Sequence, residues 1–359
     1  MEDSQPGGRP NGRPRHETRT RSGRMMLIIL LGLALCISVF LIMLWPVVMS
    51  EARQEATIRI PRGATEKNVR DSLEKYLGED YARTVTRLAR LRRTDFGKRH
   101  GSYVIPEGTN ALGAMRKLTS GAQTPVRITI NGFRSLPLLI ERISAKMEFP
   151  ADSLKAALAD SSLMSHYGLT PQNAMALFLD DTYETYWTTS ARDLVSKIGD
   201  NYLFLWNEER TAQAADAGLS PADVMTIASI VDEETNAMQE KGTIGQLYIN
   251  RLHNNMRLQA DPTVRFAAGD FTIQRVTKAD LKTESPYNTY LHAGLPPGPI
   301  RTTSTATVDA ILNAEPNNYL YMCAKEDFSG THNFASTYDR HLENAVRYQA
   351  ALDRNGITR

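Results

Sequence analysis

The sequence predicts an α+β protein in three parts: an N-terminal transmembrane helix, a small α+β module, and a larger, mainly α domain. Three observations carry this reading. Met25 to Met49 is a run of twenty-five residues without a charge. Strand-turn-helix signals then occur twice in succession, and beyond residue 131 strands nearly vanish while apolar residues recur with a helical period. At 359 residues the chain exceeds what one small core needs, and a composition of 42% hydrophobic and 23% charged residues argues against wholesale disorder.

Residues 1–24, rich in Arg, Gly, Pro and Ser with no apolar period, read as a disordered tail. Residues 25–49 are long enough to cross a bilayer, which takes about 20 apolar residues, and longer than the apolar core of about 7–15 residues in a cleaved signal peptide. Arg9, Arg13, Arg15, Arg19, Arg21 and Arg24 precede the run, against Glu2, Asp3 and Glu17. That excess keeps the tail in the cytoplasm, so membrane lipid surrounds residues 25–49 and residues 51–359 lie on the far side of the cytoplasmic membrane.

Residues 50–131 form the small module. Ala56 to Ile60 alternates as a strand, Pro61-Arg62-Gly63 turns it, and Thr65 starts a helical pattern through Val69, Leu73 and Leu77. Gly101 to Ile105, Pro106-Glu107-Gly108 and a face of Leu112, Met115 and Leu118 repeat that order, and Val126 to Ile130 adds a last strand. Residues 132–352 form the mainly α domain, with helices expected over Leu136 to Met147, Asp193 to Trp206 and Pro221 to Met238; residues 353–359 are a short tail.

Charge and cysteine content narrow the function. Lys plus Arg number 42 against 40 for Asp plus Glu, which disfavours a nucleic-acid partner. Cys36 and Cys323 are the two cysteines, and of seven histidines His332 and His341 stand close in sequence, so no metal site or cofactor is expected.

The most informative stretch runs from Ser220 to Thr235. Ser220 is a good N-cap, Pro221 suits the first helical position, and Asp223 favours the positive helix end. At about 100° per residue, Val224, Ile227, Ala228 and Val231 define a buried stripe. Glu233 falls about 180° from Val224 and is expected to face water, while Glu234 falls about 280° away, on the rim of the stripe. A carboxyl on an apolar rim holds its proton more tightly than a free one and can act as a general acid near neutral pH. On pattern alone, three consecutive acids on a helix are more often a solvated face.

Downstream, Ile244 to Leu252 reads as a second helix, Asp261-Pro262 as another helix start, and Gly294 to Ile300 (GLPPGPI) as a stiff wall with little conformational freedom to lose. Tyr, Asn and Gln side chains, as in Ser285 to Tyr290 (SPYNTY), offer the neutral donors and acceptors that a sugar polymer would need. The same tyrosines and prolines also read as core and turns.

Taken together, ASIVDEET, INRL, MRLQADPTV, SPYNTY and GLPPGPI, in that order and followed by His332-Asn333-Phe334, resemble the endolytic murein transglycosylases of the MltG/YceG-like family. The resemblance implies a LysM-like module over residues 50–131 and a lysozyme-like catalytic domain over residues 132–352. It implies a peptidoglycan glycan strand as substrate, cut at its MurNAc-GlcNAc β-1,4 bond to leave a 1,6-anhydro end, and action beside the cell-wall synthases. The family's catalytic glutamate falls on Glu234. Asn250, Gln259, Asp261, Tyr287, Asn288, Tyr290, Leu295, Pro296, Pro297 and His332 are the residues expected to hold the sugar. Family positions also fall on Asp232, where the usual residue is Glu, on Glu233, where the usual residue is Lys, and weakly on Asp181. One glutamate suffices in such a reaction, whereas ordinary glycosidases need two carboxylates. The alternative from another class is a silent peptidoglycan-binding scaffold.

Overall fold

The computed structural model describes residues 18–273 and 275–356. The chain divides into two compact units, Met1–Thr124 and Pro125–Arg359. Most of the expected tail lies outside the described residues, but the helix already begins at Thr18: α1 spans Thr18–Met49. Within it, Gly23–Met49 is long and apolar enough to cross a membrane, and none of its described side chains is buried in the protein.

The rest of the first unit is β1 (Ala56–Ile60), α2 (Glu66–Leu77), α3 (Glu79–Leu91), β2 (Gly101–Ile105) and α4 (Ala111–Ser120). Strands β1 and β2 pair antiparallel with Ile58 opposite Tyr103. Alternation along β1 sends Ala56, Ile58 and Ile60 into a core completed by Leu73, Val85, Phe96 and Leu118. Thr65 starts α2 through a capping box in which its amide donates to Asn68 Oδ1 at 2.9 Å, and Asn110 caps α4 by accepting the Gly113 amide at 2.8 Å.

The second unit opens with β3 (Val126–Ile130) and continues through α5 (Leu136–Ser144), α6 (Ala151–Ala159), α7 (Ser161–Ser165), β4 (Asp181–Thr185), α8 (Ala191–Leu205) and α9 (Glu208–Asp216). It proceeds with α10 (Pro221–Glu234), α11 (Met238–His253), α12 (Asp261–Ala268), α13 (Thr305–Leu312), β5 (Tyr321–Ala324), β6 (His332–Ala335) and α14 (Tyr338–Arg354). β3 pairs antiparallel with β4, Ile128 opposite Tyr183, so the strand read as the end of the small module belongs to this unit. β5 and β6 form a second antiparallel pair.

Helix α10 is the axis of the unit. Its residues from Val224 through Asp232 are all buried, so it has no solvent face to which a one-sided stripe would apply. It ends at Glu234, four residues before the expected limit, because Thr235 turns to extended backbone (φ −146°, ψ 142°). Helix α11 then packs against α10 and closely on α13. A Cβ on Gly242 would stand 2.5 Å from the Ala310 carbonyl oxygen, and one on Gly245 would stand 2.6 Å from Ile311 Cγ1. That approach needs glycine, and it fixes the side chains that α11 presents to the end of α10.

Candidate active site

Ser220 and Asp223 close a capping box at the start of α10: the Ser220 amide donates to Asp223 Oδ2 at 2.9 Å and the Asp223 amide to Ser220 Oγ at 3.2 Å. The far end of the same helix delivers Glu234 to a cleft of about 320 Å³. One turn of chain later α11 brings in Tyr248, whose hydroxyl donates to Glu234 Oε1 at 2.7 Å. The other oxygen, Oε2, makes no hydrogen bond with any described residue. Burial is the main reason the Glu234 carboxyl is pushed up to about 7; Asp261 and Glu233 push the same way, while the Tyr248 hydroxyl and Arg265 pull it down. Burial also drives the Tyr248 hydroxyl well above the ordinary phenol range, so it stays a donor.

The two acids before Glu234 are differently placed. Asp232 accepts from Lys241 Nζ at 2.5 Å, Thr303 Oγ1 at 2.5 Å and Thr307 Oγ1 at 2.7 Å. Glu233 does not face water: its side chain is 7% exposed and accepts from Arg134 Nε at 2.7 Å and Arg301 Nη1 at 2.9 Å. The expectation of an outward Glu233 fails because α10 is enclosed on every side, and the loop bearing Arg301 covers what would have been its wet face. Asp181 lies exposed on β4 and outside the cleft, whereas its neighbour Asp180 accepts the Gly132 amide at 2.9 Å and the Thr302 hydroxyl at 2.5 Å.

Of the residues expected to hold sugar, Gln259, Asp261, Tyr290 and His332 line the cleft with Glu234. Gln259 sits in the left-handed region at φ 49°, a strained setting for a residue with a side chain. Asp261 is not an N-cap. Ala260 holds that position without a side-chain bond, which leaves Asp261 Oδ1 to accept the Tyr290 hydroxyl at 2.6 Å. His332 is held by Glu240, a 7% exposed residue whose carboxylate accepts the His332 backbone amide at 2.8 Å and lies 3.0 Å from Nδ1.

The others support the walls. Asn250 donates its amide to the Asn317 and Tyr319 carbonyls at 2.9 and 3.1 Å. Asn288 is buried, donates to the Leu281 and Thr283 carbonyls at 3.0 and 2.9 Å, and accepts the Tyr290 amide at 3.0 Å, so it shapes the loop that carries Tyr290. Tyr287 packs against Phe266 with ring centroids 4.6 Å apart and the planes tilted by 47°. Leu295, Pro296 and Pro297 do not line the cleft; in the same turn the Ile300 amide donates to Ser229 Oγ at 3.0 Å, which clamps the loop to α10.

Tyr248, Arg251 and Arg265 line the cleft without having been anticipated. A signal for the first two existed, since Tyr248 and Arg251 stand three residues apart on a helix whose sequence neighbours had already been singled out. Among the described residues no group of three or more His, Cys, Asp or Glu side chains could hold a metal ion.

A helical unit that ends its central helix in one half-buried glutamate without an ion-pair partner, with a phenol on one oxygen and a polar cleft on the other, is a candidate site for proton transfer. The YceG-like family model matches residues 58–347, and the chain belongs to that family. A protein of Bacillus subtilis named endolytic murein transglycosylase is 27% identical over 271 residues, which is 70% of this chain and 73% of that one. A protein of the same name from Streptococcus pneumoniae is 27% identical over 134 residues, 36% of this chain and 24% of the other. The crystal structure of a YceG-like protein from Listeria monocytogenes shares the fold, with a TM-score of 0.54 at 24% identity over 81% of this chain and 98% of the Listeria chain.

Proposed function

We propose that this protein is a membrane-anchored endolytic peptidoglycan transglycosylase that cuts the MurNAc-GlcNAc β-1,4 bond of nascent glycan strands and leaves 1,6-anhydroMurNAc ends. The observation that carries this reading is Glu234: a carboxyl that holds its proton close to neutral pH, in a cleft, with one oxygen unengaged. The names of the relatives supply the substrate class.

The Tyr248 hydroxyl on Oε1 leaves the acidic proton on Oε2, facing the cleft. That proton passes to the glycosidic oxygen as its bond to the muramyl C1 breaks, and the sugar takes on oxocarbenium character. The muramyl C6 oxygen then attacks C1 and gives its proton to the Glu234 carboxylate. The anhydro ring closes, the acid is restored, and no water is consumed. Gln259, Asp261, Tyr290 and His332 hold the sugar around this bond.

In this reading residues 25–49 anchor the chain with residues 1–24 in the cytoplasm and residues 51–359 outside, beside the cell-wall synthases, and the first unit grips glycan as a LysM-like element. A reporter that works only in the cytoplasm, fused after Arg359, should stay silent; a strong signal would reverse the orientation. Mass spectrometry of fragments released from purified peptidoglycan tests the chemistry, because anhydro and reducing ends differ by one water. Reducing ends would make the protein a hydrolase, and no fragments would favour a scaffold.

A further inference from the structure

Two arginines line the cleft, and they are in different situations. Arg251 is committed to the fold: Nε donates to the Leu320 carbonyl at 2.6 Å, and Nη1 to those of Leu258 and Arg257 at 2.8 and 3.1 Å. Arg265 is half-buried, its Nε is enclosed without a hydrogen-bond partner, and its guanidinium forms no ion pair with a described residue.

The acids nearby do not take up this cation. Asp261 stands four residues before Arg265 on α12, the spacing and order that favour a helical ion pair, but its Oδ1 accepts the Tyr290 hydroxyl at 2.6 Å. Glu234 feels the charge of Arg265 without pairing with it, and its Oε1 is held by Tyr248. A partly desolvated guanidinium without an acceptor is costly, and a planar carboxylate suits its donor fork. The hydroxyls and acetamides of a glycan backbone carry no charge, so they give no reason for such a group. The muramyl side of peptidoglycan does, because it bears carboxyl groups.

We propose that Arg265 is the carboxylate-recognition residue of the cleft, reading the muramyl side of the substrate through the free lactyl carboxylate of a peptide-free strand or through a carboxylate of the stem peptide. This deepens, and rests on, the glycan-cleaving reading. It also links recognition to chemistry: an anion seated on Arg265 cancels a charge that otherwise draws the proton away from Glu234, so the matching substrate strengthens the hold on that proton before transfer.

The test uses the full chain and three forms of one glycan: with stem peptides, with peptides removed to free the lactyl carboxylate, and with that carboxylate capped as a methylamide. Binding is measured directly, beside cleavage. Wild type should bind at least one carboxylate-bearing form about 10-fold or more tightly than the capped form, with a margin that shrinks as salt rises. The form that gains identifies the source of the carboxylate. Arg265→Gln should bind the three forms alike, and Arg265→Lys should recover part of the margin. Equal binding of all three by wild type, a margin that survives Arg265→Gln, or an equal loss on every form overturns the assignment. Discrimination in binding without any cut product would instead remove the glycan-cleaving reading and leave Arg265 as a carboxylate receptor; cutting without discrimination does the reverse.

Discussion

Two regions adjoin at the end of α10, and they treat the same kind of side chain in opposite ways. Behind the cleft, Asp232 and Glu233 meet Lys241, Arg134, Arg301 and two threonine hydroxyls. Inside it, Glu234 meets a phenol. Burial is common to both, so burial alone does not distinguish them. What separates them is a cation at contact distance: Lys241 on Asp232 and Arg134 and Arg301 on Glu233 make those side chains structural ties, whereas Glu234 has no ion pair and its carboxyl is pushed up to about 7 by burial.

Breaking the cleft side of this comparison should have the largest effect. Glu234→Gln keeps the shape and removes the transferable proton, so glycan cleavage should fall by about 10² to 10⁴ while the protein stays folded, as followed by release of soluble fragments. Asp232→Ala attacks the other side. It leaves Lys241 uncompensated among buried groups, and denaturant unfolding should show a loss of about 3–5 kcal/mol with near-normal turnover by whatever remains folded. Glu233→Gln should cost about 1–3 kcal/mol in the same measurement, because Arg134 and Arg301 keep an amide oxygen to donate to but lose the negative charge they share.

The smallest change sharpens the comparison. Tyr248→Phe removes a donor that favours the carboxylate, so Glu234 should hold its proton more tightly still, and the high-pH limb of kcat/KM should move up by about one pH unit. Stability carries the same sign. A glutamate raised from 4.5 unfolded to about 7 folded binds more protons when folded, so its contribution is fully present below about 4.5 and is lost as pH rises through about 7. Wild type should lose stability over that window by up to about 3 kcal/mol relative to Glu234→Gln, as read by unfolding at several pH values.

Much of this was legible in the sequence. Ser220 and Pro221 marked the start of α10, and the alternation of β1 marked its buried face, because caps and side-chain periods are local. Helical phase put Glu234 on the rim of an apolar stripe, whereas α10 is buried all round and Glu234 reaches the cleft because the helix ends there. The same phase placed Glu233 in water, since a period describes one helix and cannot show that Arg301, 68 residues later, closes over its other side. Tyr287, Asn288 and the GLPPGPI turn were legible as a loop cluster near the site, but which side chains enter the cleft and which only shape it depends on packing between distant segments. The unit boundary was misplaced for a related reason: β3 resembles the strands before it, and only its partner β4, more than fifty residues later, assigns it to the second unit. A chain begun at residue 132 would therefore lack a strand of its own fold, whereas one begun at residue 125 keeps it.

Glu234, buried against the Tyr248 hydroxyl, keeps its proton near neutral pH. Carbon-13 labelling of the glutamate carboxyls, followed by NMR across a pH titration, reads this directly. A glutamate signal titrating near pH 7 should disappear in Glu234→Gln and persist in Glu233→Gln. Titration of every glutamate in the ordinary range around 4–5, or a high-titrating carboxyl that vanishes in Glu233→Gln instead, would contradict it.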